Sequence, residues 1–94
     1  MTLEEMFEKH HDEFLKFYQI EHKRSNRPDL NAFILLDSIL PGTGDMIECS
    51  EHDEIMLSID CDALANVITE EQVIELYRCG VRYNSEYDSL TMYA

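Results

Sequence analysis

Residues 41–59 read PGTGDMIECSEHDEIMLSI, and this stretch decides the fold because the sequence changes there from helical to strand periodicity. Gly42 and Gly44 permit the positive φ angles of a turn. Residues 46–49 predict a short strand, and residues 55–59, in which every second residue is isoleucine or leucine, predict a half-buried strand. With the polar connection between them, the two strands predict a β-hairpin.

Two helices are predicted on the amino-terminal side of this hairpin. Thr2 and Glu5 have the spacing of a capping box, and apolar residues then recur at helical spacing up to about Lys23, which predicts a long amphipathic helix. Asp29 is placed to cap a second helix over Leu30–Leu40, whose apolar residues predict extensive burial. Because only a short break separates them, the two helices are expected to form an antiparallel hairpin.

Two further helices are predicted on the carboxyl side. Asp62 is expected to cap a short helical turn over residues 63–66. Thr69 and Gln72 form a second capping box, which predicts a helix from about residue 70. Gly80 is expected to end this helix, since glycine is favoured just after a helix carboxyl terminus.

A second hairpin is predicted at residues 81–83 and 90–93, which flank a turn-rich segment. Helices and hairpins follow one another without β-α-β alternation. The sequence therefore predicts one α+β domain over residues 1–94, in which a helical hairpin and a carboxyl-terminal helix pack on a roughly four-stranded antiparallel sheet.

Charge is distributed unevenly along the chain. Of the formal net charge of −13, residues 28–94 carry −12, and their only bases are Arg78 and Arg82. Between Pro28 and Tyr77 the chain has twelve carboxylates and no lysine or arginine. Acids interleaved with apolar residues predict a folded acidic surface and not a disordered tail. Such a surface indicates a cationic protein partner, because it repels bare nucleic acid and anionic membranes.

The carboxylates around the first hairpin are the candidate site. Arrayed on neighbouring strands, they are predicted to imitate nucleic-acid phosphates and to occupy the basic groove of a nuclease, restriction complex or CRISPR effector. The alternative is a solvated surface that only confers solubility, but solubility does not require the exclusion of bases. A tyrosine in the second turn is predicted to be an exposed anchor. The predicted partner-binding residues are Asp45, Glu48, Glu51, Asp53, Glu54, Asp60, Asp62 and Tyr87.

The reactive side chains form no strong catalytic pattern. No nucleophile elbow or phosphate-binding loop is present, so no catalytic residue is assigned and an enzyme is not expected. Cys49 and His52 with Cys61 and Cys79 could form a Cys₃His zinc set, but their unequal spacings favour free thiols, and no metal or other cofactor is expected. An odd number of cysteines without an export signal favours the reducing cytoplasm.

Two segments of the chain resemble small acidic proteins encoded by bacteriophages and prophages. They are PGTGD at residues 41–45 and CGVRY at residues 79–83, the latter with DSL at residues 88–90. The resemblance covers about residues 30–94. It implies a phage-borne accessory protein that acts in the cytoplasm of a bacterial host, and it supplies no catalytic residues.

These observations predict a small acidic inhibitor of a host nucleic-acid-binding protein, of the anti-restriction or anti-CRISPR type, that presents a DNA-mimicking face. Two alternatives remain open. One is a homo-oligomeric assembly protein without an inhibitory role, in which the helical hairpin forms a homodimer and the acids confer solubility. The other is a small zinc-binding protein.

Overall fold

Short helices and two β-hairpins make up the secondary structure. A computed structural model describes residues 2–51 and 53–93, with only the backbone of Glu51. Two 3₁₀ turns, His11–Glu13 and Phe17–Gln19, lie between the first two helices. The other elements in this part of the chain are α1 (Leu3–Lys9), α2 (Pro28–Ile39), β1 (Ile47–Glu51), β2 (Glu54–Leu57), α3 (Cys61–Ala65), α4 (Glu70–Arg78), β3 (Val81–Asn84) and β4 (Ser89–Tyr93).

The four strands form one antiparallel sheet in the order β1-β2-β4-β3. Both predicted hairpins are confirmed, and β2 joins them by pairing with β4. The register places Ile55 opposite Met92 and Met92 opposite Val81, so these three side chains share one face. The predicted α+β class with a four-stranded antiparallel sheet is thereby confirmed.

The helix ends agree with the predictions that depend on residues close together in the sequence. The Thr2 hydroxyl accepts the Glu5 N–H at 3.2 Å, and the Glu5 carboxylate accepts the Thr2 N–H at 2.9 Å. Thr69 and Gln72 make the same reciprocal pair at the start of α4. Gly80 follows α4 with a φ of +95°. Both capping boxes and the glycine terminus are therefore confirmed.

The predicted continuation of the first helix to Lys23 is wrong. α1 ends at Lys9, and Leu15 adopts a φ of 64°, which is incompatible with a right-handed helix. The Leu15 N–H donates to the Tyr77 carbonyl at 3.0 Å, and the Phe14 ring packs edge-on against the Tyr77 ring. Contacts with α4 therefore bend the chain. Two shorter helices, α1 and α2, which each pack against α4, replace the predicted helical hairpin.

Two predicted helix caps lie two residues away from the true ones. α2 begins at Pro28 with Arg27 at the N-cap position, so Asp29 lies in the first turn. Proline favours the first helical position because its fixed φ suits the helix and its missing N–H would be unpaired there. Asp60, and not Asp62, caps α3, because its carboxylate accepts the Asp62 N–H at 3.0 Å.

The core lies between the helices and one face of the sheet. Val81 and Leu90 from the sheet and Leu76 from α4 are fully buried. α2 is buried less than predicted, because Leu30 and Ile34 are exposed on its outer side. No helix within the described residues combines enough length and apolar character to cross a bilayer.

Candidate protein-interaction surface

Ion pairs between described residues link α4 to the amino-terminal segment, and the region where they meet is called the α4 side below. The hydrogen bond from Lys9 holds the pKa of Glu70 below its usual value. Each pair joins residues that are far apart in the sequence, so the fold and not the local sequence creates it. The pairs are Lys9–Glu70 (2.6 Å), Arg24–Glu75 (3.1 Å) and Arg78–Glu13 (2.9 Å).

A buried asparagine holds the loop that carries one of these cations. The Asn31 side-chain oxygen accepts the N–H of Arg24 at 2.7 Å and that of Ser25 at 3.2 Å. Its amide nitrogen donates to the Glu75 carboxylate at 2.9 Å and to the Cys79 sulfur at 3.2 Å. Asn31 is completely buried. Sequence reasoning missed this group, because one asparagine within an apolar helical run has no pattern of its own.

Among the described residues, the exposed carboxylates around the first hairpin have no such compensation. No described lysine, arginine or histidine forms an ion pair with the exposed members of the predicted set. The side chain of Glu51, which was also predicted to take part, lies outside the described residues. The exposed members, called the acidic surface below, are Asp45, Glu48, Asp53, Asp60 and Asp62.

The first hairpin carries members of the acidic surface at both of its ends. Asp53 lies in the turn between β1 and β2 with a φ of 64°. Asp45 precedes β1 at the opposite end, where the Ser58 N–H donates to the Met46 carbonyl at 2.7 Å. Asp60 follows β2 at that same end. The carboxylates are therefore spread along the length of the hairpin, as a series of negative groups and not as one cluster.

Glu54 differs from the other predicted carboxylates because its charge is compensated. It pairs with Arg82 of β3, and only 16% of its side chain is exposed. The Arg82 guanidinium also lies 4.6 Å from the centre of the Tyr93 ring. The structure therefore assigns Glu54 to a local charge pair and not to the acidic surface.

A cavity of about 400 Å³ extends the acidic surface beyond the predicted residues. Asp62 lines it together with Asp88 and Glu4. The Tyr83 hydroxyl, on the cavity wall, donates to the Asp88 carboxylate, and this hydrogen bond raises the pKa of Tyr83. Sequence reasoning missed Asp88 and Glu4, because they come from opposite ends of the chain and meet only in the fold.

Tyr87 lies in the turn between β3 and β4, next in the chain to Asp88 of this cavity. Its exposed fraction is 47%, which agrees with the predicted position at the surface. Its role as a binding anchor remains a prediction.

The cysteines do not assemble into a metal site. Cys49 is exposed, whereas Cys61 and Cys79 are buried. Burial raises the pKa of both buried thiols to about 11. No group of three or more His, Cys, Asp or Glu side chains in residues 2–51 and 53–93 is placed to hold a metal ion. The fourth member of the alternative zinc set, His52, lies outside the described residues.

Comparison of the chain with protein-family models, with curated proteins and with solved structures gave no match.

Proposed function

We propose that this protein binds a basic, nucleic-acid-handling protein through its acidic surface and inhibits it by occupying the groove meant for nucleic acid. The observation that carries the proposal is the separation of charges. Lys9, Arg24 and Arg78 pair with carboxylates on the α4 side, whereas no described cation forms an ion pair with the exposed carboxylates of the first hairpin and α3. Those carboxylates are therefore available to a cationic partner.

The physical basis is an imitation of the phosphate backbone. Proteins bind nucleic acid largely through lysine and arginine side chains that contact successive phosphates. Carboxylates held on a hairpin and a helix start offer the same sign of charge on a folded scaffold. The net charge of −13 also steers a positively charged partner toward the protein, which accelerates association at low salt.

Inhibition of this kind is stoichiometric and needs no catalytic group or cofactor. The resemblance of residues 30–94 to phage and prophage proteins supports an anti-restriction or anti-CRISPR role in the cytoplasm of a bacterial host. Tyr87 directly precedes Asp88 of this cavity in the chain and is 47% exposed, and we assign both the cavity and Tyr87 to the contact with the partner.

The proposal is tested by capture from a bacterial lysate followed by salt titration. The wild-type chain is expected to retain a basic protein, to compete with DNA for it, and to bind on the order of tenfold more weakly when NaCl is raised several-fold. The triple variant Asp45→Asn/Asp53→Asn/Asp62→Asn should lose this binding.

A matched triple variant provides the control. Asp12→Asn/Glu21→Gln/Glu71→Gln removes the same charge from exposed positions on and beside the α4 side, and it should bind nearly as well as wild type. Equal losses in both triple variants would show that only net charge matters. An affinity independent of salt would contradict the proposal outright.

A further inference from the structure

The sheet of the described residues has two edge strands, and they differ in how well they are covered. β1 and β3 lie at the two ends of the strand order β1-β2-β4-β3. β3 packs with α1 and α4, and the side chains of Val81–Asn84 are all buried or half-buried. The side chains of residues 47–50 in β1 are all exposed. The edge of the sheet at β1 is therefore accessible to another chain.

β1 presents backbone hydrogen-bonding groups along this edge. In an antiparallel pair, the N–H and C=O groups of successive residues alternate between pointing toward the partner strand and pointing away from it. β1 pairs with β2 on one side, and on its other side no strand of the described sheet lies beside it. Free groups of this kind can pair with an additional strand, and proteins commonly cover or charge such edges for that reason.

The described side chains of β1 take no part in the core. None of them belongs to the main apolar cluster or packs against it. Ile47 is 46% exposed, and Cys49 is exposed as well. A strand added beside β1 would cover these side chains through cross-strand contacts, which are a main source of stability in sheets.

Charge selects the occupant of this edge. Asp45 precedes β1, Glu48 lies within it and Asp53 follows it, and all three are exposed. No described lysine, arginine or histidine forms an ion pair with them. A second copy would bring the same acids and its own net charge of −13 to the edge, and it would be repelled. A strand that carries lysine or arginine would be attracted.

We propose that β1 binds an extended, lysine- or arginine-rich segment of the partner, which joins the sheet as a fifth strand. The inference rests on the proposed function, and it specifies which part of a basic partner the acidic surface holds. Backbone hydrogen bonds supply affinity in this binding mode, and the neighbouring side chains supply selectivity. Because Asp45 and Asp53 are eight positions apart, a segment of about ten residues is long enough to pass all three carboxylates.

A pair of synthetic peptides tests the proposal. The first has ten residues in which lysine alternates with valine, and the second is identical except for N-methyl groups on its four central residues. Calorimetric titration of the full chain at low NaCl should show binding of the first peptide. The second should bind at least about tenfold more weakly, because it has the same charge but cannot donate the central backbone hydrogen bonds.

Variants of the chain locate the binding site. Glu48→Lys should weaken binding of the first peptide at least about tenfold, whereas Glu71→Lys, an equal charge reversal at an exposed position of α4, should not. Coupling a bulky maleimide to Cys49 should block the edge and abolish binding. In the control variant Cys49→Ser/Tyr18→Cys, the same label attached at position 18, where the native ring is 74% exposed, should leave binding intact.

The outcomes separate this inference from the proposed function. Equal affinity for the two peptides, or no binding of the first, would overturn strand addition, and the salt-dependent capture of a basic protein would still stand. A chain that binds the first peptide but captures no basic protein from lysate would overturn the inhibitory function alone. A wild-type dimer in sedimentation that dissociates on labelling of Cys49 would assign the edge to a second copy and would also overturn strand addition.

Discussion

The α4 side and the acidic surface are both rich in carboxylates, but they differ in how many of those carboxylates pair with described cations. On the α4 side, Glu70 and Glu75 pair with cations more than fifty residues away in the sequence, Lys9 and Arg24. On the acidic surface, Asp45 and its neighbours have no described cation within ion-pair distance. The contrast teaches that tertiary pairing, and not the local density of acids, determines where the surplus charge of this chain is presented.

The largest expected loss of stability comes from removing the buried Asn31 side chain, which contacts Glu75 on the α4 side. Asn31→Ala removes a buried side chain that accepts the N–H groups of Arg24 and Ser25, and it leaves these part-buried donors unpaired. We expect a loss of about 3 kcal/mol in the free energy of unfolding, measured by urea denaturation. Asn66→Ala, at an exposed position, should change it by less than about 0.5 kcal/mol. Equal changes in both variants would contradict a central role for Asn31.

Thiol labelling compares one exposed cysteine with two buried cysteines in the same chain. Cys49, on the hairpin that carries the acidic surface, should react at once, and Cys61 and Cys79 should react about 100-fold more slowly at pH 8, because they require local opening. Burial raises the pKa of both slow thiols from 9.0 to about 11. The two thiols therefore contribute fully to the free energy of unfolding below pH 9, and this contribution is lost toward pH 11. The reason is that the same thiols ionise at a lower pH in the unfolded chain than in the folded one. Rapid labelling of all three thiols at pH 8 would show that the described burial is wrong.

A smaller effect is expected from neutralising one acid on the α4 side. Glu75→Gln keeps the shape of the side chain but weakens its contacts with Arg24 and Asn31. Because the Glu75 side chain is only 18% exposed, we expect a loss of about 1–2 kcal/mol by urea denaturation. Glu71→Gln, one turn earlier and exposed, serves as the control and should be nearly neutral.

The smallest effect should have the opposite sign. Neutralising the acidic surface with Asp45→Asn or Asp53→Asn removes repulsion and should raise the free energy of unfolding by a few tenths of a kcal/mol, about 0.3 each, at low ionic strength. The gain should vanish at high salt, because screening already removes the repulsion. A loss of stability in either variant would indicate a compensating contact and would contradict the view that these carboxylates are uncompensated.

The sequence predicted the parts of the fold that depend on neighbouring residues. Thr2 with Glu5, and Thr69 with Gln72, are capping boxes within one helical turn, and Gly80 ends a helix through its own φ. Such signals can be recognised in a sequence because the interacting residues lie within a few positions of one another in the chain.

Prediction failed where contacts between distant residues outweighed a local pattern. The spacing of apolar residues after residue 9 suits a helix. The chain bends instead, because the Leu15 N–H donates a hydrogen bond to the Tyr77 carbonyl. The candidate site shows the same limit. Periodicity grouped Glu54 with the other acids of the hairpin, and only the strand register revealed that Arg82 reaches it. Charge counting located the acidic surface, but it could not distinguish paired acids from unpaired ones.

The strand order also governs the timing of folding. β4 lies in the interior of the sheet between β2 and β3, although it follows both of them in the chain. During synthesis, the first hairpin therefore emerges without its neighbour, and the sheet cannot close until residues 89–93 have left the ribosome. We infer that the nascent chain completes its sheet late, so that any shortening that removes β4 leaves β3 without a strand to pair with.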